Sequence, residues 1–214
     1  MTIMWSKDFT LGLLCVVSTW GLIAAYCEPG NPCWPSPEEW QEFNTTVQGH
    51  LACPANHTAQ YVFSANMVYP NWQHELGHTN SPLALPVYAV AATEPADVVA
   101  AVKFAAAHHI RLSVKSTGHS YTGRSTAADS LLVSLRDMQQ MKYRDSFDDG
   151  CGTPATPAVT VEPGVTFGKL YPFVDRFDHV VVGGGGPSVS AGGGYMHGGG
   201  HSPVGRALGM YLVL

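Results

Sequence analysis

The sequence predicts a mixed fold of helices and parallel strands with a ligand site at one edge of its sheet. Two stretches of the chain have the pattern of a strand–helix–strand unit, and each unit ends in a loop of small residues. A loop that follows a parallel strand lies at the carboxyl edge of the sheet, where ligands bind in such folds. The apolar fraction of 45% is sufficient to bury a core. We therefore expect the two loops to share one ligand.

The N-terminus predicts a secretory signal. An apolar run from Leu11 to Ala25 follows a polar start that contains Lys7, and it ends in small residues. The run is shorter than the ~20 residues that a membrane span needs, so a retained anchor is the weaker alternative. We expect residues 1–25 to be removed as a signal peptide, which makes the mature protein secreted and leaves it without a membrane association.

Residues 26–85 are predicted to form a lead-in rich in cysteine and proline. The triplets that begin at Asn44 and Asn56 are N-glycosylation sequons, which suit a secreted glycoprotein. No Cys-x-x-Cys pair exists, so we expect disulfides rather than a metal site, with three pairings open among the four cysteines after the signal. These cysteines are Cys27, Cys33, Cys53 and Cys151.

One helix is predicted within the lead-in. Ser36 is a capping residue before Pro37 and two acidic side chains, and proline and acidic residues both suit the first turn of a helix. We expect this helix to cover residues 37–43. Trp40 and Phe43 would then face the core.

The first strand–helix–strand unit opens the domain predicted over residues 86–214. Its elements are a strand over 87–92, a helix that starts at 93–97 and runs to 109, and a strand over 110–114. The loop 115–124 follows directly. Its small residues let the backbone approach a ligand, and successive N–H groups form a concave anion site between Lys115 and Arg124. His119 lies inside this loop, although an ordinary polar loop is the alternative.

The second unit has the same pattern. Its elements are a strand over 158–162, a helix over 167–177 capped by Thr166, and a strand over 179–182. Pro172 is expected to kink or shorten that helix. A short strand over 131–135 precedes the unit, and the polar residues 136–156 are expected to form a turn or excursion.

A glycine-rich run over residues 183–201 follows the second unit. Its first eighteen positions hold ten glycines. A flexible linker is the alternative, but a linker rarely includes Val189, Tyr195 and two histidines directly after a buried strand. The run contains neither Gly-x-Gly-x-x-Gly nor Gly-Lys-Ser/Thr, so a Rossmann dinucleotide site and a nucleoside-triphosphate P-loop are not supported.

A metal site is the rival interpretation of the histidines. His197 and His201 are four residues apart and His119 is a third candidate. Three glycines separate the first two, and each costs a helix about 1 kcal/mol relative to alanine, so a helix that spans both is not expected. No acidic ligand lies nearby. We therefore predict no metal.

The net charge argues against nucleic acid as a partner. Acidic residues outnumber basic ones by 16 to 11, which gives a formal charge of −5. No basic tract exists that would follow a phosphate backbone. Nucleic acid is therefore not an expected partner.

The two loops together resemble a known family. Residues 114–126 (VKSTGHSYTGRST) and 192–203 (GGGYMHGGGHSP) closely resemble the FAD-binding domain of the vanillyl-alcohol-oxidase superfamily, in its berberine-bridge-enzyme-like branch. The resemblance covers about residues 86–209. It implies an α+β fold, an FAD-binding PCMH-type domain of two small α/β subdomains with FAD between them.

The resemblance also implies cofactor contacts. His119 aligns with the histidine that bonds covalently to the flavin 8α carbon, and such a bond tunes and tethers the cofactor. Gly186 stands before Pro187 where members with two covalent bonds carry cysteine, so a single attachment is implied. The implied FAD-binding residues, His119 and Gly186 included, are Ser116, Thr117, Gly118, His119, Ser120, Gly123, Gly186, Ser188, Gly193, Gly198, Gly199 and His201.

The implied function is that of a secreted FAD-dependent oxidoreductase in which a small-molecule substrate passes a hydride to the flavin. Complete members continue for a few hundred residues and add a substrate domain, so we expect the domain here to be incomplete at its C-terminus and the catalytic base to be absent. Two alternatives are a catalytically silent flavin-binding remnant and, less favoured, a histidine-metal hydrolase.

Overall fold

The computed structural model describes residues 26–52, 86–120, 124–148, 150–152 and 154–208. The helices are α1 (Pro37–Thr46), α2 (Pro95–Ala107), α3 (Phe167–Asp175), α4 (Gly194–Gly198) and α5 (Gly205–Leu208). The strands are β1 (Leu51–Ala52), β2 (Tyr88–Ala91), β3 (Arg111–Lys115), β4 (Ser130–Ser134), β5 (Met141–Phe147) and β6 (Thr156–Val161). No helix within these ranges is long and apolar enough to cross a membrane.

A four-stranded sheet forms the centre of the first half of the domain. Its strand order is β1–β2–β4–β3. Strands β2 and β3 both run parallel to β4, and β1 adds an antiparallel edge beside β2. Helix α2 is therefore a crossover between two parallel strands, as the sequence predicts, with β4 inserted between them. The loop after β3 consequently leaves the carboxyl edge of this sheet.

Helices α1 and α2 pack on one face of this sheet through aromatic side chains. The Trp40 ring lies 4.8 Å from that of Phe104, and the Phe43 ring stacks on Phe104 at 4.2 Å. Trp40 and Phe43 are buried with Leu131 and Val133 of β4, so their predicted inward orientation is confirmed. The Ser36 hydroxyl and the Glu39 carboxylate form a reciprocal capping box at the start of α1. The helix from the lead-in thus contributes to the same core as the sheet.

A buried carboxylate ties β1 to α2. Asp97 accepts hydrogen bonds from the Thr93 N–H at 2.9 Å and from the Thr93 hydroxyl at 3.2 Å, and it lies 3.1 Å from Nδ1 of His50. Burial acts to raise the pKa of Asp97, but the Thr93 N–H and the His50 ring outweigh it and hold the pKa below its ordinary value. The contact joins the residue that precedes β1 to the first turn of α2.

A second core lies under α3. Strands β5 and β6 form an antiparallel pair, and α3 packs nearby through Phe167, Leu170 and Val174. Backbone hydrogen bonds link this part to the first sheet: the Gly164 N–H donates to the Met138 carbonyl at 2.8 Å. The two halves are therefore joined between β4 and α3. The fold is the mixed arrangement of helices and strands that the sequence predicts.

Two sequence-based expectations are wrong. Residues 136–156 are not an irregular excursion, because they include β5, a strand whose side chains are mostly exposed and therefore lack an apolar pattern. Residues 179–182 are not a strand but an irregular segment in which Val180 is 81% exposed, so the predicted second strand–helix–strand unit lacks its last strand. Helix α3 contains Pro172 and ends at Asp175, slightly earlier than predicted.

A disulfide joins Cys27 to Cys33, with Cα atoms 5.9 Å apart. The Cys27 N–H also donates to the His109 carbonyl at 2.8 Å, which anchors the start of the lead-in beside the end of α2. Cys53, the Asn56 sequon and the predicted signal peptide lie outside the described residues. The Asn44 sequon lies in the last turn of α1, where the side-chain oxygen of Asn44 accepts a hydrogen bond from the Leu51 N–H.

Candidate functional site

The first loop starts where β3 ends at Lys115. Gly118 has a φ of +80°, in the left-handed region that favours glycine, so the chain turns sharply after Thr117. The Lys115 side chain is only 4% exposed, and its burial, with the nearby Arg136 charge, lowers its pKa to about 8. The loop thus combines a tight backbone turn with a buried amine at its base.

The second loop, residues 183–202, is held by two tyrosine side chains. The Tyr171 hydroxyl on α3 donates to the Gly184 carbonyl at 2.5 Å. The Tyr195 hydroxyl on α4 donates to the His201 carbonyl at 3.1 Å, and its ring meets the edge of Phe167 with centroids 4.8 Å apart. The glycine-rich run is therefore an ordered loop built on the second core, which does not fit the flexible-linker alternative.

The two loops meet through hydrogen bonds. The Ser190 N–H donates to Thr117 Oγ1 at 3.0 Å, a buried contact between residues 73 positions apart. The Nε2 atom of His119 lies 3.0 Å from Ser188 Oγ, across 69 positions. The structure therefore brings the two loops into direct contact through side-chain and backbone hydrogen bonds.

Gly193 shows how closely the loops approach each other. A Cβ atom at this position would overlap the Ser116 hydroxyl and would lie 2.8 Å from Ser116 Cβ and from Ser190 Oγ. Protein atoms do not approach that closely, so only glycine allows this packing. The glycine is needed for the contact between loops.

Other glycines in the second loop face open space. Apart from the adjoining backbone, no described atom lies within 4 Å of the position that a Cβ would take at Gly185, Gly194, Gly198 or Gly199. Packing does not require glycine at these positions, although a φ of +69° favours it at Gly199. Their exposed backbone leaves room for a flat or anionic ligand to approach, as a cofactor cradle requires.

Ser202 supplies an independent test of fit. The residue is 4% exposed, and no described residue forms a hydrogen bond with its hydroxyl. A buried hydroxyl without a partner costs free energy unless a ligand or water satisfies it. Ser202 follows His201 in the loop but was not among the predicted contacts. In the sequence, only the position of Ser202 within the motif GGGHSP could have identified it as a site residue.

The structure places most predicted contact residues along these two loops. The inter-loop contacts involve Ser116, Thr117, His119, Ser188 and Gly193. Gly118 lies between them in the first loop. Gly123 lies outside the described residues.

The remaining predicted residues do not contact the opposite loop directly. The Ser120 hydroxyl accepts a hydrogen bond from the Arg124 N–H within its own loop. The Gly186 carbonyl accepts from the Val189 N–H and so closes a turn. Gly198 ends α4, and Gly199 and the exposed His201 follow it.

A metal centre finds no support in the described part of the chain. Within it, no group of three His, Cys, Asp or Glu side chains has the arrangement of a metal site. Helix α4 ends at Gly198, between His197 and His201, so the expectation that no helix spans both histidines is confirmed.

The fold and the paired loops define a cofactor-binding domain, and comparison with known proteins identifies its class. Residues 86–212 match the family described as FAD binding domain. The chain belongs to this family, and it is similar to FAD-linked oxidoreductases and to a VAO-type flavoprotein.

Fungal proteins are among its relatives. FAD-linked oxidoreductase easE of Trichophyton verrucosum is 33% identical over 218 residues, which covers 82% of this chain and 36% of that protein. FAD-linked oxidoreductase ZEB1 of Gibberella zeae is 33% identical over 215 residues, covering 86% and 38% respectively. The solved structure of VAO-type flavoprotein MtVAO615 from Myceliophthora thermophila C1 matches with a TM-score of 0.70 and 26% identity, covering 87% of this chain and 40% of that one. The chain thus spans less than half the length of these relatives.

Proposed function

We propose that this chain is the FAD-holding part of a secreted oxidoreductase that acts on a small molecule, and that His119 forms its single covalent bond to the flavin. The observation that carries the proposal is the contact between the two loops, which brings His119 within 3.0 Å of Ser188. Family membership supports FAD as the ligand. The open glycine backbone and the unpartnered Ser202 hydroxyl support the fit of such a ligand.

Each part of the site has a distinct role in this proposal. The N–H groups of residues 116–120 hold the anionic pyrophosphate, because small residues and the turn at Gly118 expose them. The second loop lies against the cofactor through the backbone at Gly198 and Gly199. Bound FAD supplies a two-electron acceptor for the hydride of the substrate. His119 tethers this group, and neither proton transfer nor substrate binding is assigned to it.

Gly186 limits the attachment to one bond. It precedes Pro187 at the position where family members with two attachments carry cysteine. A glycine has no sulfur to attach, so the second loop contributes only noncovalent contacts. The chain therefore depends on His119 for permanent retention of the flavin.

Denaturing electrophoresis tests the covalent bond. The protein is loaded with FAD and separated under denaturing conditions, and flavin fluorescence is expected to remain with the band. The His119→Ala variant should lose the fluorescent band while it still binds FAD reversibly. Fluorescence that persists in this variant, or that is missing from loaded wild type, would refute the tether.

The secretory route is tested separately. The Asn44 and Asn56 sequons and the apolar N-terminal run support it. Expression in a eukaryotic host should release protein into the medium with its N-terminus near residue 26. Retention inside the cell of a folded protein that begins at Met1 would contradict secretion but not FAD binding.

A further inference from the structure

The two nitrogens of the His119 ring differ in their surroundings. Among the described residues, Nε2 contacts the Ser188 hydroxyl at 3.0 Å in a partly buried position. No hydrogen bond to Nδ1 exists within the same part of the chain. Among the described residues, the ring therefore has one nitrogen in a hydrogen bond and one nitrogen without such a bond.

Ser188 is itself fixed on both sides. The Val189 N–H donates to the Gly186 carbonyl at 3.1 Å, and the Val189 carbonyl accepts from the Phe167 N–H at 3.0 Å. The next residue, Ser190, donates its N–H to Thr117 in the first loop at 3.0 Å. Because backbone contacts anchor the chain around Ser188, its hydroxyl is a fixed partner for His119.

The chemistry of imidazole gives this contact a consequence. Only a ring nitrogen with a free lone pair is nucleophilic, and a neutral imidazole has one such nitrogen. If Nε2 donates its proton to Ser188 Oγ, the lone pair is on Nδ1. If Ser188 donates instead, the lone pair of Nε2 is occupied by the hydrogen bond. In either case Nε2 is withheld from reaction.

We propose that Ser188 is a positioning residue that reserves Nδ1 of His119 for attachment to the flavin. The proposal rests on the covalent bond proposed above and adds which nitrogen forms it and why. A hydroxyl both donates and accepts, so Ser188 accepts from Nε2–H before attachment and donates to the Nε2 lone pair afterwards. The same contact therefore orients the ring in both states.

In the attachment step, Nδ1 forms a bond to the 8α carbon, and one C–H bond of that methyl group breaks. The two electrons of that bond, with its proton and the proton that leaves Nε2, reduce the flavin. Dioxygen then accepts two electrons and two protons as hydrogen peroxide, which restores the oxidised cofactor. Ser188 contributes only the orientation of the ring and a hydrogen bond to Nε2.

The test compares three variants with wild type during incubation of the whole chain with FAD in air. Ser188→Ala removes the hydroxyl, Ser188→Thr keeps it, and Ser146→Ala removes an exposed hydroxyl from β5 as the matched control. The rate of covalent attachment is measured as flavin fluorescence on denaturing gels. Reversible FAD affinity is measured by thermal shift with samples taken before attachment begins.

Ser188→Ala is expected to attach FAD about tenfold more slowly at FAD concentrations that saturate its own reversible binding, the size of effect that one hydrogen bond accounts for. Ser188→Thr and Ser146→Ala should attach FAD at the wild-type rate. Equal attachment rates in wild type and Ser188→Ala, each saturated with FAD, would overturn the positioning role.

The attachment nitrogen gives a second readout. Nuclear magnetic resonance of the purified flavin-bearing peptide distinguishes the two ring nitrogens. In wild type, the flavin should be attached to Nδ1 alone. In Ser188→Ala, peptides with attachment at Nδ1 and peptides with attachment at Nε2 should both be present. Attachment at Nε2 in wild type would overturn the inference but leave the proposed function intact, whereas complete absence of covalent flavin from wild type would overturn both.

Discussion

Two adjacent glycines show how single residues divide the work of the second loop. Gly193 lies against Ser116 and Ser190, where a Cβ has no room. Gly194 has open space at the same position and begins α4. The first glycine is therefore needed for packing between the loops, and the second is not. The sequence alone does not distinguish the two glycines.

Alanine substitutions should separate these roles. Gly193→Ala forces the loops apart, and overpacking of this kind costs about 1–3 kcal/mol. We expect a lower melting temperature and weakened FAD binding. Gly194→Ala should change the free energy of unfolding by no more than about 0.5 kcal/mol and leave the melting temperature close to that of wild type. Thermal unfolding without and with FAD measures both effects, and similar destabilisation by the two changes would contradict the packing argument.

Lys115 makes a prediction about pH. Burial, assisted by Arg136, lowers its pKa from 10.5 to about 8. Between these values the unfolded chain holds a proton on Lys115 that the folded chain lacks, so the stability contributed by this residue rises with pH across the window. The full effect is about 3 kcal/mol. Lys115→Met should remove this rise.

Chemical denaturation at several pH values between 7 and 9.5 measures the slope. The informative quantity is the difference in free energy of unfolding between wild type and Lys115→Met, because other groups titrate equally in both proteins. A difference that is independent of pH would show that Lys115 is not buried as a perturbed amine.

Among the helices and strands, the sequence predicted those that can be recognised from patterns in neighbouring residues. The capping box at Ser36 and the spacing of Trp40 and Phe43 predicted α1, because caps and helical periodicity depend on neighbouring residues. Strand β5 was missed, since an exposed strand carries no apolar alternation. Residues 179–182 were predicted as a strand, but no strand in the described part of the chain pairs with them. Pairing depends on distant residues, which local patterns do not include.

The candidate site also has features that the sequence predicted and features that it did not. The loop after β3 was predicted from its small residues and from the strand that precedes it. The hydrogen bond between the His119 and Ser188 side chains was not predicted, because it joins residues 69 positions apart in the sequence. Ser202 was missed, since its burial without a partner is visible only in three dimensions.

Trp40 tests whether α1 belongs to the same cooperative unit as the sheet. It is 6% exposed, and its indole N–H has no hydrogen-bond partner in the part of the chain that the structure describes. Trp40→Ala should cost about 3–5 kcal/mol through the cavity it leaves. Trp40→Phe keeps most of the apolar volume and removes the unpartnered donor, so it should cost less than about 1.5 kcal/mol. Urea unfolding measures both, and equal costs would show that the ring does not pack as described.

At the scale of the whole molecule, the site lies where two cores meet. One core surrounds the four-stranded sheet and the other lies under α3. Each supplies one loop, and the inter-loop hydrogen bonds of Thr117 and His119 cross between them. A ligand bound to both loops therefore stabilises the association of the two halves as well as each loop.

This arrangement predicts a large thermal effect of FAD. Reversible binding at a hundred times Kd stabilises the folded chain by about 2.7 kcal/mol, which corresponds to several degrees in melting temperature. Ser202→Ala should match wild type without FAD, because the hydroxyl has no partner to lose, and should show a smaller shift with FAD. Differential scanning fluorimetry over a range of FAD concentrations measures both. The absence of any shift in wild type at saturating FAD would contradict a formed site.

The chain separation between the two loops has a consequence for the order of folding. Contacts that close segments of 69 and 73 residues carry a large entropic cost, which each half of the domain offsets by folding locally first. We therefore expect the contact between His119 and Ser188 to be among the last to form as the chain leaves its unfolded state. FAD is then expected to bind after both halves of the domain have folded. Binding would stabilise the folded chain but would not direct its folding.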